Sequence, residues 1–105
     1  MKDVKITVLK ITSNNDLIDK YEKKGFMDDP KNRCYMKEGL SFVSKNALMP
    51  EGFCSSAWHD LSPYVEKLSS GVKQVYDNWM EHDGTAVISC NDGLRPVIFL
   101  LEVIE

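Results

Sequence analysis

The sequence predicts an α+β domain: a small, mostly antiparallel sheet, open or curled toward a barrel, with two or three helices packed on it. Three observations carry this. Val4, Ile6 and Val8 alternate with Lys5 and Thr7, the period of a strand with one buried face. Trp58, Leu61, Val65, Leu68 and Val72 recur at spacings of 3, 4, 3 and 4, the stripe of an amphipathic helix. Thr85 to Cys90 and Val97 to Ile104 are β-rich runs joined through Asn91-Asp92-Gly93, the pattern of a hairpin whose turn uses glycine for positive φ. At 105 residues and 43% hydrophobic, the chain fills one core, so residues 1–105 read as a single domain.

In chain order, Val4 to Ile11 is the first strand. Leu9 and Ile11 add apolar character to its second face, which implies a central strand covered on both sides near its exit. Ser13 to Asp16 offers N-caps for a short helix with Leu17, Ile18 and Tyr21 on one stripe. Lys23-Lys24 suit the helix's C-terminal end, and Gly25 suits its cap. Residues 27 to 33 have turn chemistry and no apolar period. Cys34 to Ser44 reads as a turn at Glu38-Gly39 followed by a strand with Leu40 and Phe42 inward. Pro50-Glu51-Gly52 is a turn, and Ser55 or Ser56 caps the next helix. Pro63 divides that helix into a short turn at 55 to 61 and a helix from 63 to 70, ended by Gly71. The state of residues 73 to 80 is left open by the pattern. In the last strand Val97, Phe99, Leu101 and Val103 share a face, with Pro96 at the strand start, where a missing donor is tolerated. Apolar residues on both faces of the first and last strands also fit a homo-oligomer.

Charge narrows the functional classes. A formal charge of −3, with Lys23-Lys24 the only adjacent basic pair, disfavours a nucleic-acid or anionic-membrane partner. No segment approaches the roughly 20 apolar residues that span a bilayer. Met1-Lys2-Asp3-Val4-Lys5 has no hydrophobic run of the secretory type. Three cysteines cannot all pair within one chain, so reduced thiols and a cytoplasmic address are expected.

The candidate site rests on those cysteines. Cys34, Cys54 and Cys90 each stand at a junction between elements, where folds place binding groups. With Trp58 and Arg95 they form the expected ligand-binding set, for a small molecule or a protein. Cys34, Cys54, Cys90 and His59 would also make a closed tetrahedral set for zinc, or a thiolate set for an iron–sulfur cluster. Against this, the cysteines lie 20 and 36 residues apart with no Cys-x-x-Cys pair, and buried packing is the common fate of free cysteine. A third reading makes Cys54 a catalytic nucleophile at a helix N-terminus with His59 or His82 as base and Asp60, Asp83 or Asp92 to orient it. Arg95 and the turn amides could hold an anion, or Arg95 pairs with a nearby carboxylate. The aromatic residues Trp58, Trp79, Tyr64, Tyr76, Phe42, Phe53 and Phe99 supply core or the walls of a pocket for a planar ligand.

Two stretches are specified enough to compare with a family: Pro50-x-Gly52-Phe53-Cys54-x-x-Ala57-Trp58 and Cys90-x-Asp92-Gly93-x-Arg95-Pro96-Val97-x-Phe99. They resemble a family of small uncharacterised single-domain proteins of anaerobic bacteria and archaea. The resemblance extends to the first strand, the Cys34-to-Phe42 segment and the closing strand, and leaves out residues 69 to 83. This chain departs from the family pattern at Ser56, where an aromatic is usual, and near Val103, where a basic residue is usual. The resemblance implies no activity. The reading is therefore a cytosolic binding module of unassigned function, with a thiolate metal or redox protein, then a small cysteine-dependent enzyme, as alternatives.

Overall fold

The structure, a computed structural model, describes residues 1–104. Strands β1 (Val4–Ile11), β2 (Ser41–Ser44), β3 (Thr85–Ser89) and β4 (Val97–Val103) form one antiparallel sheet in the order β2-β1-β4-β3. Helix α1 (Asn15–Tyr21) follows β1, and α2 (Ser55–Ser69) follows β2. Two short 3-10 turns, Phe26–Asp28 and Pro30–Asn32, lie between α1 and β2. The class is α+β as the sequence predicts, but β2 and β3 remain free edges, so the sheet is open and not a barrel. Among the described residues there are two α-helices, of which only α2 packs on the sheet in any depth.

Alternation places the core. Val4, Ile6 and Val8 of β1, Val97, Phe99 and Leu101 of β4, and Ala86 of β3 are buried on the face that meets α2. The register explains why they share that face: Ile6 stands opposite Leu101, which stands opposite Ala86. From α2 come Ala57, Leu61, Val65 and Leu68, all buried. Each large aliphatic buried this way contributes about 1.5–3 kcal/mol relative to exposure. Double coverage near the exit of β1 is not found. Leu9 and Ile11 are 44% and 40% exposed, because a register shift between Val8 and Lys10 carries the strand end away from the packed layer.

Helix α2 runs through Pro63 without the break that the sequence predicts. The ring removes the bond that residue 63 would donate to the carbonyl of His59. Both residues lie on the exposed side, so water can satisfy that carbonyl. The buried stripe continues on either side of the proline, and its packing holds the two halves in line. Val72 lies beyond the helix and is exposed, while Trp58 is half-buried and packs edge-on against Phe53 at 6.1 Å.

The segment before β2 departs further from expectation. Helix α1 buries none of its residues; Leu17 and Tyr21 face solvent. It ends at Glu22, so Lys23-Lys24 fall outside it, and Gly25 (φ +80°) instead precedes the first 3-10 turn. The β3–β4 hairpin forms as predicted, but Gly93 is not among the glycines with positive φ. Its connection is shaped by Asp92, whose carboxylate accepts the amides of Leu94 (2.9 Å) and Arg95 (3.1 Å). Residues 73–80, left open above, form neither helix nor strand. Among the described residues, no helix is long and apolar enough to cross a membrane.

Candidate functional site

A cavity of about 530 Å³ opens where three parts of the chain meet: the 3-10 turns with residues 33–36, the start of α2, and the β3–β4 connection. Cys34, Cys54, Cys90 and Arg95 all line it. Trp58 and His59 do not: the Trp58 ring belongs to the aromatic core and His59 is exposed on α2. Apolar side chains complete the walls, among them Met36, Ala57, Val97 and Phe99. A volume of this size, mostly apolar in surface but also lined by the charged residues Glu22, Lys31, Arg33, Asp60, Asp92 and Arg95, suits a small-molecule ligand.

Local structure fixes each thiol differently. Cys54 is the N-cap residue of α2, with extended backbone (φ −68°, ψ 118°) and no side-chain capping bond. Its position is set by the turn before it, where Gly52 takes φ +79° and the Phe53 amide donates to the Pro50 carbonyl. Phe53 anchors that turn, packing against Phe42 at 4.9 Å and Phe99 at 5.7 Å. The Cys90 sulfur accepts the amide of Val97 (3.3 Å), while the Cys90 amide donates to the Val97 carbonyl (3.0 Å). The Cys34 sulfur accepts the amide of Met36 at 3.5 Å. Among the described residues, Cys54 is thus the thiol with no hydrogen bond, and it is half-buried at a helix start whose first amides are unpaired. All three cysteines are free.

Tyr35 joins them. Its hydroxyl donates to the Gly52 carbonyl (3.1 Å), and its pKa is raised, first by loss of water around the phenol and then by the charges of Cys54 and Cys34. The phenol therefore remains a protonated donor beside two thiols. Nothing in the local pattern pointed to Tyr35 beyond its place next to Cys34.

Arg95 reaches the cavity but is not a free cation. Its guanidinium forms a bidentate pair with Glu22, one arm at 3.0 Å and the other shorter. The hydrogen bond from Arg95, then its charge, holds the Glu22 carboxyl below the usual Glu value, against opposing burial and Asp92. Glu22 in turn raises Arg95 above its ordinary value. Of the two roles read for Arg95 in the sequence, the geometry has the carboxylate pair. Asp60, read above as a possible orienting group for a histidine, instead accepts the Asn91 amide (2.9 Å) and so ties α2 to the β3–β4 connection.

The thiolate metal set is not assembled. Among the described residues, no group of three or more His, Cys, Asp or Glu side chains is close enough to hold a metal ion. Cys34, Cys54 and Cys90 share a cavity wall without converging on one point, and His59 faces away from them, so the zinc and iron–sulfur readings lose their ligands. The spacing had already withheld the short chelating pair that such sites use. Comparison with protein-family models, with curated proteins and with solved structures finds no match.

Proposed function

We propose that this protein is a small-molecule binding module whose ligand occupies the cavity at the start of α2. The observation that supports it is the presence of three sequence-remote thiols on the walls of one largely apolar cavity. The ligand this chemistry favours is compact and mostly apolar, contacting sulfur and aromatic surface, with the Tyr35 hydroxyl and the amides at the start of α2 as its polar partners. Soft sulfur atoms pack well against aromatic rings. A cysteine-dependent enzyme using Cys54 has less support, because neither His59 nor His82 lines the cavity and the thiol lacks a base.

Thermal denaturation against a panel of small aromatic and aliphatic compounds tests the reading, with iodoacetamide labelling of the thiols read in parallel by mass spectrometry. A ligand at 100 times its Kd adds about 2.7 kcal/mol to stability. The expected result is a compound that raises Tm and slows labelling of Cys54 and Cys90 together. Compounds that raise Tm while all three thiols label at the unliganded rate would place binding elsewhere and remove this reading.

A further inference from the structure

A second cavity, about 410 Å³, lies on the other side of Asp60 and Cys90, against β3. Its walls include Tyr64 of α2 and Tyr76 and Trp79 of the segment that the sequence left unassigned. The rings do not stack. Tyr76 and Trp79 lie 4.9 Å apart at 71°, and Tyr64 and Tyr76 lie 6.1 Å apart at 58°, so they stand as angled walls. Tyr76 is 49% exposed and Trp79 41%, a large aromatic area for a domain of this size to leave in water.

The arrangement is held in place before any ligand arrives. The hydroxyls of Tyr64 and Tyr76 share a hydrogen bond at 3.1 Å. Gln74 clamps the segment by donating to the Met80 carbonyl (3.1 Å) and the Asp83 carboxylate (3.0 Å), and by accepting the Met80 amide (2.9 Å). The Gly84 amide closes the loop onto the Lys73 carbonyl at 2.8 Å. Asn78 between Tyr76 and Trp79 takes φ +49°, a left-handed turn that brings the two rings to the same side.

Charge completes the case. Among the described residues, no Lys, Arg or His side chain lines this cavity, and Asp60 is its carboxylate. One Asp60 oxygen holds the Asn91 amide, which leaves the other for a ligand. The Lys67 ammonium stands 5.7 Å from the centre of the Tyr64 ring, so that ring already has a cation beside it and a ligand would rely on Tyr76, Trp79 and Asp60.

The geometry points to a binding site for a methylated ammonium ion, taken up in this cavity against Tyr76 and Trp79 with Asp60 as counter-charge. Aromatic faces attract cations through the ring quadrupole, and such cages suit quaternary ammonium groups. A trimethylammonium group has no N–H donors to leave unsatisfied, so it loses little on entering. The site is independent of the thiol cavity reading, although the two cavities share Asp60, Cys90 and Asn91 as a common wall.

Choline and 3,3-dimethylbutan-1-ol, its uncharged carbon isostere, separate this from simple apolar binding. Each is titrated into the intact protein while the two tryptophan indole resonances are followed by NMR. Choline is expected to bind about five- to tenfold more tightly than the isostere and to shift Trp79 rather than Trp58. Equal affinities, absence of choline binding, or shifts confined to Trp58 would overturn the proposal. Asp60→Asn and Tyr76→Leu are expected to weaken choline severalfold and leave the isostere unchanged. Variants that weaken both ligands alike would also overturn it.

Discussion

Helix α2 and the stretch from Thr12 to Met36 form facing walls of the same cavity, yet they are held by opposite means. Helix α2 buries Ala57, Leu61, Val65, Leu68 and Ser69. Helix α1 and both 3-10 turns bury nothing, and Met36 is the one buried anchor of that stretch, at its far end. In place of burial, the stretch is latched by polar contacts. The Thr12 hydroxyl and amide both donate to the Pro96 carbonyl, Asn14 bonds the carbonyls of Gly93 and Leu94, Glu22 holds Arg95, and Tyr35 bonds Gly52. Arg33 and Asn32 bond back to Met27 and Phe26 within the stretch itself. The lesson is that a wall fastened by exposed hydrogen bonds opens at low free energy, while a wall made of core opens only with global unfolding. Such a wall can move without disturbing the sheet.

Removing core from one wall tests the contrast most severely. Leu61→Ala is expected to cost about 2–5 kcal/mol in urea unfolding, whereas Leu17→Ala on α1 should stay within about 0.5 kcal/mol. Comparable losses for the two would end the distinction. A substitution in the opposite direction sharpens it. Pro63→Ala restores a donor for the His59 carbonyl and is expected to stabilise by about 1–3 kcal/mol, measured as a rise in the urea midpoint at constant m. A loss of stability would mean that the proline ring itself packs in the native state.

Gly52 joins the two walls, since its carbonyl accepts the Tyr35 hydroxyl and its φ of +79° presents Cys54. A Cβ there would meet no atom within 4 Å, so Gly52→Ala isolates backbone strain, expected at about 1–2 kcal/mol. Labelling of Cys54 should change with it while that of Cys90 does not. The smallest change in global stability is expected at the Glu22–Arg95 pair. Glu22→Gln should speed amide exchange in residues 12–35 severalfold and leave α2 exchange at its global rate. Acid should do the same. The Glu22 carboxyl titrates lower in the folded protein than its ordinary value near 4.3, so the pair stabilises above that value. Its contribution fades as pH falls through the lowered one. Uniform exchange across both walls once the pH is below the Glu22 titration would show that the latch is not separate from the core.

Much of the framework was legible because it depends on neighbours along the chain. Alternation in Val4-Lys5-Ile6-Thr7-Val8 fixes a strand and its buried face, and the same holds for Val97, Phe99 and Leu101. The stripe of Leu61, Val65 and Leu68 fixes α2 and the side it presents. Pro63 misled because a propensity rule considers one missing hydrogen bond, while the tertiary contacts on both sides of it set the outcome. Leu17, Ile18 and Tyr21 misled in the opposite sense: an apolar stripe permits burial but needs a surface to receive it.

The candidate site was only half visible. Residue type and position at element junctions singled out Cys34, Cys54, Cys90 and Arg95, but Trp58 and His59 were grouped with them by closeness in sequence alone. Successive residues on a helix point about 100° apart, so Ser56, Ala57 and Asp60 turn to the cavity while Trp58 and His59 do not. Tyr35, Glu22 and Asp60 gain their roles from partners 17, 73 and 31 residues distant. By itself, then, the order of residues determined the strands, the long helix and which thiols were worth watching. Tertiary structure alone decided that those thiols line one cavity and that its outer wall is latched rather than packed. Local periodicity follows from the geometry of a single element, whereas the meeting of remote segments depends on which surfaces remain to be covered once the core has closed.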